Sequence, residues 1–573
     1  MINLTINNID IKAKEGMTIL EAAKENGINI PTLCYYPDLK INSDCRVCSV
    51  EINGSKNLLT ACSTPVKEGM EVKTNSKKVH TARKTITELL LANHDTNCTT
   101  CSRNLNCELQ NLANTLGIDE NRFEKVLKHE PVDDHNPSIY RNPNRCIKCG
   151  RCVEVCKEVE GTYVLENMGR SNDMRVSPKY GKYLSDEDCT FCGQCASVCP
   201  VAAITEKDDS QRVFDAINDP DKHVIVQVAP SIRVSIGEEF GNKAGGQWTG
   251  QLVSALRRLG FDRVYDTDFT ADLTIIEEGH ELLDRVKNGG TLPMMTSCCP
   301  GWVSYTEQNH PDMLNHLSTC KSPQQMFGAL AKTYYADSIN IDPKDLYVVS
   351  IMPCTAKKYE SAREEMKAHE NIQDVDAVLT TRELGKMIRS QGVDFNALKE
   401  EKFDDAFGIT TGAGAIFGAT GGVMEAALRT VSEVVNEKPL EKIEFEAVRG
   451  FEGIKEATVN LGGNDVKVAV AHTLKHAETL MQSVKAGKSE YAFIEVMTCP
   501  GGCIGGGGMP YGTTNKKRID RIESTYRVDE NMPMRKSHEN PTIQALYDNF
   551  LEKPLGEKSH TLLHTHYKAR NKV

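Results

Sequence analysis

The cysteines are where this 573-residue chain carries its chemistry. There are 21 of them, grouped at two- and three-residue gaps. In a long chain that opens Met-Ile-Asn-Leu-Thr-Ile, with neither a basic nor an apolar leader, such grouping predicts metal or iron-sulfur ligation and not a disulfide scaffold. Cys146-x2-Cys149-x2-Cys152-x3-Cys156 and Cys189-x2-Cys192-x2-Cys195-x3-Cys199-Pro200 both show the run in which the fourth cysteine ligates the other cluster of a pair. One [4Fe-4S] cluster is therefore expected on Cys146, Cys149, Cys152 and Cys199, and its neighbour on Cys189, Cys192, Cys195 and Cys156. Lys157 stands where the second run has Pro200, a residue that shapes a turn and ligates nothing.

Two further groups lie upstream. Cys34-x10-Cys45-x2-Cys48-x13-Cys62 suits a plant-type [2Fe-2S] site, although the spacing departs from the usual C-x4-C-x2-C and zinc is the alternative. His94-x3-Cys98-x2-Cys101-x5-Cys107 offers three thiolates and an imidazole that could complete a [4Fe-4S] cubane; on spacing alone, His94 is as readily a packing residue. Six cysteines remain: Cys298, Cys299, Cys320, Cys354, Cys499 and Cys503. Most follow apolar, strand-like runs, and α/β folds gather ligands at the carboxyl ends of their strands. Four thiolates from three such loops would make one buried cluster. Any one of these cysteines could be a small core residue; their joint placement argues for a site. Gly501, Gly502 and Gly505 to Gly508 permit close backbone approach there. Gly412-x-Gly414-x3-Gly418 does not have the G-x-G-x-x-G spacing of a nucleotide loop.

The elements that must hold these groups can be read in order. Ile2, Leu4 and Ile6 alternate with polar residues, Asn7-Asn8 can turn the chain, and Thr18-Ile-Leu-Glu21 reads as a capping box starting a helix that Gly27 can stop. This predicts a β-grasp [2Fe-2S] ferredoxin-like domain over 1–80. Residues 81–126 read as a small helical His/Cys3 cluster domain with Ile86, Leu89 and Leu90 on one face. Residues 127–209 have too few large apolar residues for a core of their own, so clusters must stabilise a bacterial-ferredoxin-like 2[4Fe-4S] domain. From 210 to 573, apolar runs at His223–Ala229, Leu292–Met295 and Leu346–Ile351 alternate with amphipathic helices. That pattern predicts a large two-lobed α/β catalytic domain, and the whole is multidomain, α+β and α/β.

Composition narrows the function. A net charge of -11 argues against broad nucleic-acid binding, which needs a basic surface. No run reaches the roughly 18 apolar residues of a membrane helix, so a cytoplasmic protein is expected.

Thr296-Ser-Cys-Cys-Pro-Gly-Trp302, Met352-Pro-Cys-Thr-Ala-Lys-Lys358 and Glu495-Val-Met-Thr-Cys-Pro-Gly-Gly-Cys503 resemble the three signatures of the [FeFe]-hydrogenases. With the upstream cluster modules in the same order, the whole chain is similar to the monomeric clostridial, ferredoxin-linked members. The resemblance implies an H-cluster: a [4Fe-4S] cubane joined to a diiron unit with CO, cyanide and a bridging dithiolate amine. It implies Cys299, Cys354, Cys499 and Cys503 as cubane ligands, Cys503 being shared with the diiron unit, and His94 as a ligand of the third accessory [4Fe-4S] cluster. Lys357 matches the cation facing one cyanide, Pro230 and Ser231 the segment facing the other, and Gln324 a donor to the bridging CO. Met352, Met497 and Phe417 match the apolar wall.

The same resemblance implies heterolytic splitting of H2, with protons relayed by Cys298, Glu278, Ser318 and Glu281 toward Arg285. A helix bearing Ile-Ile-Glu-Glu-Gly-His-Glu would otherwise read as a solvated face. The implied partners are ferredoxin or flavodoxin, H2 and protons, and diiron-site maturation proteins, with no nucleic acid and no membrane. Three alternatives stand beside this reading. They are an electron-wiring subunit like that of NADH dehydrogenase, a non-catalytic iron-sulfur assembly protein, and a subunit of an NAD-linked bifurcating hydrogenase or a sensor. The three C-terminal loops argue against the first, and Cys298 with Lys357 against the second.

Overall fold

Asn7 and Asn8 turn the first hairpin with φ of 52° and 64°, the left-handed pair that matches strand twist. Leu4 thereby pairs with Ile11 across strands Ile2–Ile6 and Ile9–Ala13. The capping box forms as expected: Thr18 accepts from the Glu21 amide, and the Glu21 carboxylate accepts from the Thr18 amide at 2.8 Å. It starts helix Ile19–Glu25, whose buried Ile19, Ala22 and Ala23 contribute to the core of a five-stranded sheet in which Met70–Lys73 runs parallel to Ile2–Ile6. This is the β-grasp arrangement. The computed structural model describes residues 1–369 and 371–570.

Helix Lys77–Ala92 follows. Its inner face differs from the expected one: Leu89 is 51% exposed, while Val79, Arg83, Thr87 and Glu88 are buried. Arg83 is the reason. Its guanidinium donates to the carbonyls of Val47, Thr74 and Ser49 at 2.9–3.1 Å, and three hydrogen bonds from a buried charge set the helix's rotation more firmly than one leucine. Ile86 and Leu90 still pack, partly buried, against the next core.

The following segment is built from two similar halves. Ile139–Arg141 pairs with Ile204–Glu206, and Leu165–Met168 with Arg175–Pro178. Short helices Arg151–Glu154 and Gln194–Val198 each begin after a glycine with φ of 76°, so the two cysteine runs fold alike.

The rest of the chain carries two four-stranded sheets. One is parallel, in the order Arg263–Asp266, His223–Val228, Leu346–Met352, Ala377–Thr380. The other runs Met294–Met295, Tyr491–Met497, Asn464–His472, Ile454–Leu461, parallel except for its last hairpin. Each has its own apolar core. The 21-residue helix Asp268–Asn288 packs on helices Pro323–Leu330 and Gly422–Asn436. Gly414 lies against it so closely that an added Cβ would sit 2.5 Å from the Asp268 carbonyl oxygen; close packing on this helix accounts for Gly414. Among the described residues, no helix is long and apolar enough to cross a membrane.

Candidate active site

Each of three strands hands its last residues to one cavity. Met294–Met295 leads to Cys298 and Cys299, Leu346–Met352 to Cys354, and Tyr491–Met497 to Cys499 and Cys503. The loops come from both sheets, so the cavity lies where the carboxyl ends of the two sheets face each other. Its volume is about 80 Å³, several times what one water molecule needs. Pro230, Ser231, Gln324, Met352, Lys357, Phe417 and Met497 complete its wall. The structure thus brings every cavity residue expected from the sequence to one place.

The donors suit a large anionic iron-sulfur group. Four thiols, Cys299, Cys354, Cys499 and Cys503, border the cavity, and no disulfide joins any of the 21 cysteines. Ser231 Oγ and Gln324 Oε1 are buried with no hydrogen-bond partner, the condition of polar groups that a bound group would satisfy. Lys357 Nζ donates to the Cys298 carbonyl at 3.0 Å and to Glu360 Oε2 at 2.9 Å. Burial works against the ammonium, but the Glu360 carboxylate outweighs it and raises the pKa above the ordinary lysine value. A fixed positive charge therefore faces an apolar cavity of low dielectric. Gly506 passes close beneath: an added Cβ would lie 2.3 Å from the Pro353 carbonyl oxygen.

Beyond Cys298 the structure gathers Glu278, Ser318, Glu281 and Arg285. Burial first and the Glu278 charge second hold the Cys298 thiol well above its ordinary pKa. Glu278 is 2% exposed, with Oε2 unpartnered. Burial and then the Glu281 charge lift its pKa to about 8, opposed by a hydrogen bond with Ser318. Ser318 Oγ donates to Glu281 Oε2 at 2.8 Å. Arg285 Nη2 donates to Glu281 Oε1 at 2.6 Å. The glutamates are therefore buried in helix Asp268–Asn288, not displayed on a solvated face.

Three of the other four cysteine groups also come together. Cys199 lines one cavity with Cys146, Cys149 and Cys152, the cross-run set. Cys195 lies within electrostatic reach of Cys189 and Cys156, Cys189 of Cys156, and Cys192 of Cys195 and Cys189. Cys48 and Cys62 have Sγ atoms 3.3 Å apart, and Cys34 hydrogen-bonds Cys45. His94 is buried with Nδ1 unpartnered, and burial lowers its pKa to about 4; a neutral ring with a free nitrogen is what ligation requires.

Several site residues lie outside the sequence reading. Glu360 fixes Lys357, Ser322 Oγ at 2.9 Å and Gln324 Nε2 at 3.0 Å. Its i,i+3 spacing from Lys357 was the available signal. Thr498 meets Cys299 Sγ through its hydroxyl at 3.3 Å and its amide at 3.4 Å, a contact across 199 residues with no sequence signature.

Known proteins resemble this chain over these same segments. The family model described as iron only hydrogenase large subunit, C-terminal domain matches residues 222–507, and the iron hydrogenase small subunit model matches 515–570. Upstream, a 2Fe-2S iron-sulfur cluster binding domain matches 1–77. An NADH-ubiquinone oxidoreductase-G iron-sulfur binding region matches 83–122 and an NADH-quinone oxidoreductase subunit 3 ferredoxin-like domain 136–205. The NADP-reducing hydrogenase subunit HndD of Solidesulfovibrio fructosivorans is 49% identical, covering 100% of both chains. Iron hydrogenase 1 of Clostridium pasteurianum is 42% identical over 99% of this chain and 100% of its own. A solved variant of the [FeFe]-hydrogenase HydA1 from Chlamydomonas reinhardtii superposes with a TM-score of 0.58 at 41% identity, covering 63% of this chain and 99% of that one. Three cysteine loops meeting at one cavity, behind iron-sulfur domains in this order, and full-length similarity to such enzymes place the chain in the [FeFe]-hydrogenase family, as a clostridial-type oxidoreductase acting on H2.

Proposed function

We propose that the protein interconverts H2 with protons and electrons at an H-cluster held by Cys299, Cys354, Cys499 and Cys503, exchanging its electrons with ferredoxin. The convergence of the three cysteine loops on one apolar cavity carries this reading. When bound, the H-cluster supplies an iron centre and a basic amine for heterolytic cleavage of H2. The chain's own residues do the rest. Met352, Phe417 and Met497 exclude water, Lys357 places a positive charge against an anionic ligand, and Ser231 and Gln324 present polar atoms that lack protein partners. Cys298 Sγ takes or gives the proton at the cavity wall, and Glu278, Ser318 and Glu281 pass it toward Arg285. Glu278, with a pKa near 8, is close to the value that serves both acid and base at neutral pH.

Electrons travel through one [2Fe-2S] cluster on Cys34, Cys45, Cys48 and Cys62 and three [4Fe-4S] clusters, one of them on His94, Cys98, Cys101 and Cys107. The domains divide near residues 80, 126 and 209, and the enzyme acts as a monomer. Residues 1–84 carry twelve Lys and Arg against nine Asp and Glu, a local excess that would steer an acidic ferredoxin. A second reading rests on the 49% identity to a subunit of an NADP-reducing hydrogenase: the chain would then be the H2-reacting subunit of a pyridine-nucleotide-linked complex. The test is anaerobic purification of the matured protein, infrared spectroscopy of the CO and cyanide stretches, and gas chromatography of H2. Bands with no H2 from reduced ferredoxin or viologen refute the first reading. Ferredoxin-driven turnover by the isolated chain counts against the second.

A further inference from the structure

Cys320 has no place at the cavity, yet it is one of the most enclosed thiols in the chain, 1% exposed. Its Sγ lies 3.8 Å from Glu281 Oε2 and 3.9 Å from His564 Nδ1. All three donor atoms fall within 4.8 Å of one another. The backbone holds them there. Cys320 and His564 form a β-bridge, flanked by Lys321 N to Leu563 O at 2.7 Å and Thr565 N to Thr319 O at 2.8 Å. The C-terminal segment is thus stitched to the loop beyond the relay.

The imidazole is also oriented. His564 Nε2 faces Glu277 Oε2 at 3.1 Å, and Glu277 is itself fixed by the Tyr547 hydroxyl and the Leu555 amide. A carboxylate only accepts, so Nε2 carries the proton and Nδ1 presents its lone pair toward Cys320 and Glu281. Thr319 Oγ1 lies 2.8 Å from the same nitrogen, a contact that a bound cation would replace. Metal-ligating histidines usually donate their second ring nitrogen to a carboxylate or carbonyl, and His564 has such a partner in Glu277.

We propose that Glu281, Cys320 and His564 form a site for a borderline-soft divalent cation of the Zn2+ class. Zinc bonds of 2.0–2.3 Å in tetrahedral geometry separate sulfur from nitrogen or oxygen by about 3.5 Å. The two sulfur separations found here need to close by only a few tenths of an ångström. Thiol and imidazole disfavour Mg2+ and Ca2+, which take oxygen ligands. On binding, Cys320 gives up its thiol proton to solvent; the thiolate and the Glu281 and Glu277 carboxylates then balance the two charges of the cation and the one of Arg285, which stays on Glu281 Oε1, and water takes the fourth position. The exposed His560, its ring 4.5 Å from that of His564, offers a first ligand on the way in. An occupied site ties up the carboxylate that the proposed relay uses, so the cation inhibits turnover; this consequence rests on that reading of Glu281.

The experiment adds one equivalent of ZnCl2 to tag-free, cluster-loaded enzyme, removes unbound metal, counts zinc and records the zinc X-ray absorption edge. One zinc per chain with a single sulfur and nitrogen or oxygen neighbours is expected, together with a more than tenfold fall in H2 evolution that a chelator reverses. Cys320→Ala and His564→Ala each lose the bound zinc, and Cys320→Ala keeps its basal H2 evolution in the presence of zinc. Zinc without a sulfur neighbour, or equal zinc retention in Cys320→Ala, overturns the site. Zinc bound through one sulfur with undiminished turnover leaves the site standing and overturns Glu281 as the relay group.

Discussion

Replacing Glu278 by glutamine keeps the shape of the side chain and removes its proton. The wild-type carboxyl is moved from an ordinary 4.5 to about 8, by burial and then by Glu281. At pH 7 it is therefore about nine-tenths protonated, ready to donate and, once emptied, to accept. Glutamine can do neither, and loss of one positioned proton carrier costs about 10²–10⁴ in rate. The same shift predicts a stability signature. The folded state binds this proton more tightly than the unfolded chain, so the stabilisation is complete below pH 4.5 and is lost as pH rises through about 8. The loss approaches about 5 kcal/mol, and Glu278→Gln does not suffer it. Calorimetric melting should show the variant gaining on wild type by several degrees between pH 5 and pH 8.5, while viologen-driven H2 evolution falls at least about a hundredfold with CO and cyanide bands intact. A variant that keeps more than about a tenth of wild-type turnover, or a melting difference independent of pH, would refute the reasoning.

Cys298→Ser should lose most activity, because a hydroxyl gives up its proton far less readily than a thiol. Cys298→Asp should keep part, with infrared bands preserved in both; loss of the bands would make Cys298 structural. Lys357→Met leaves Glu360, at 2.9 Å in the present pair, buried without its cation. It should lower stability by about 3–5 kcal/mol and weaken the CO and cyanide bands, and an unchanged melting point would contradict the pairing. Deleting residues 1–80 should slow ferredoxin-linked turnover and flatten its salt dependence while sparing viologen-driven turnover. An unchanged ferredoxin rate would point to entry near His94.

The cysteine groups that the fold brings together were legible in the sequence because the expected iron-sulfur binding demands one residue type at short, characteristic gaps, and short gaps survive as spacing. The same holds for the Asn7-Asn8 turn and the Thr18 cap, where the partners are three residues apart or fewer. Ser231, Gln324 and Phe417 became visible only through the family signature, since nothing in their own surroundings marks them as cavity residues. Which face of Lys77–Ala92 turns inward was decided by Arg83 reaching carbonyls up to 36 residues away, against the leucine pattern. The grip of Glu360 on Lys357, Gln324 and Ser322, the Thr498 contact to Cys299, and the meeting of Cys320 with His564 across 244 residues belong to tertiary structure. Such contacts depend on how two sheets and a C-terminal segment close over one helix, and burial by distant elements is what shifts the pKa of Glu278 and leaves Ser231 Oγ without a partner. Local spacing could announce which atoms would bind iron; only the packing of remote elements could decide which charges would be stripped of water beside them.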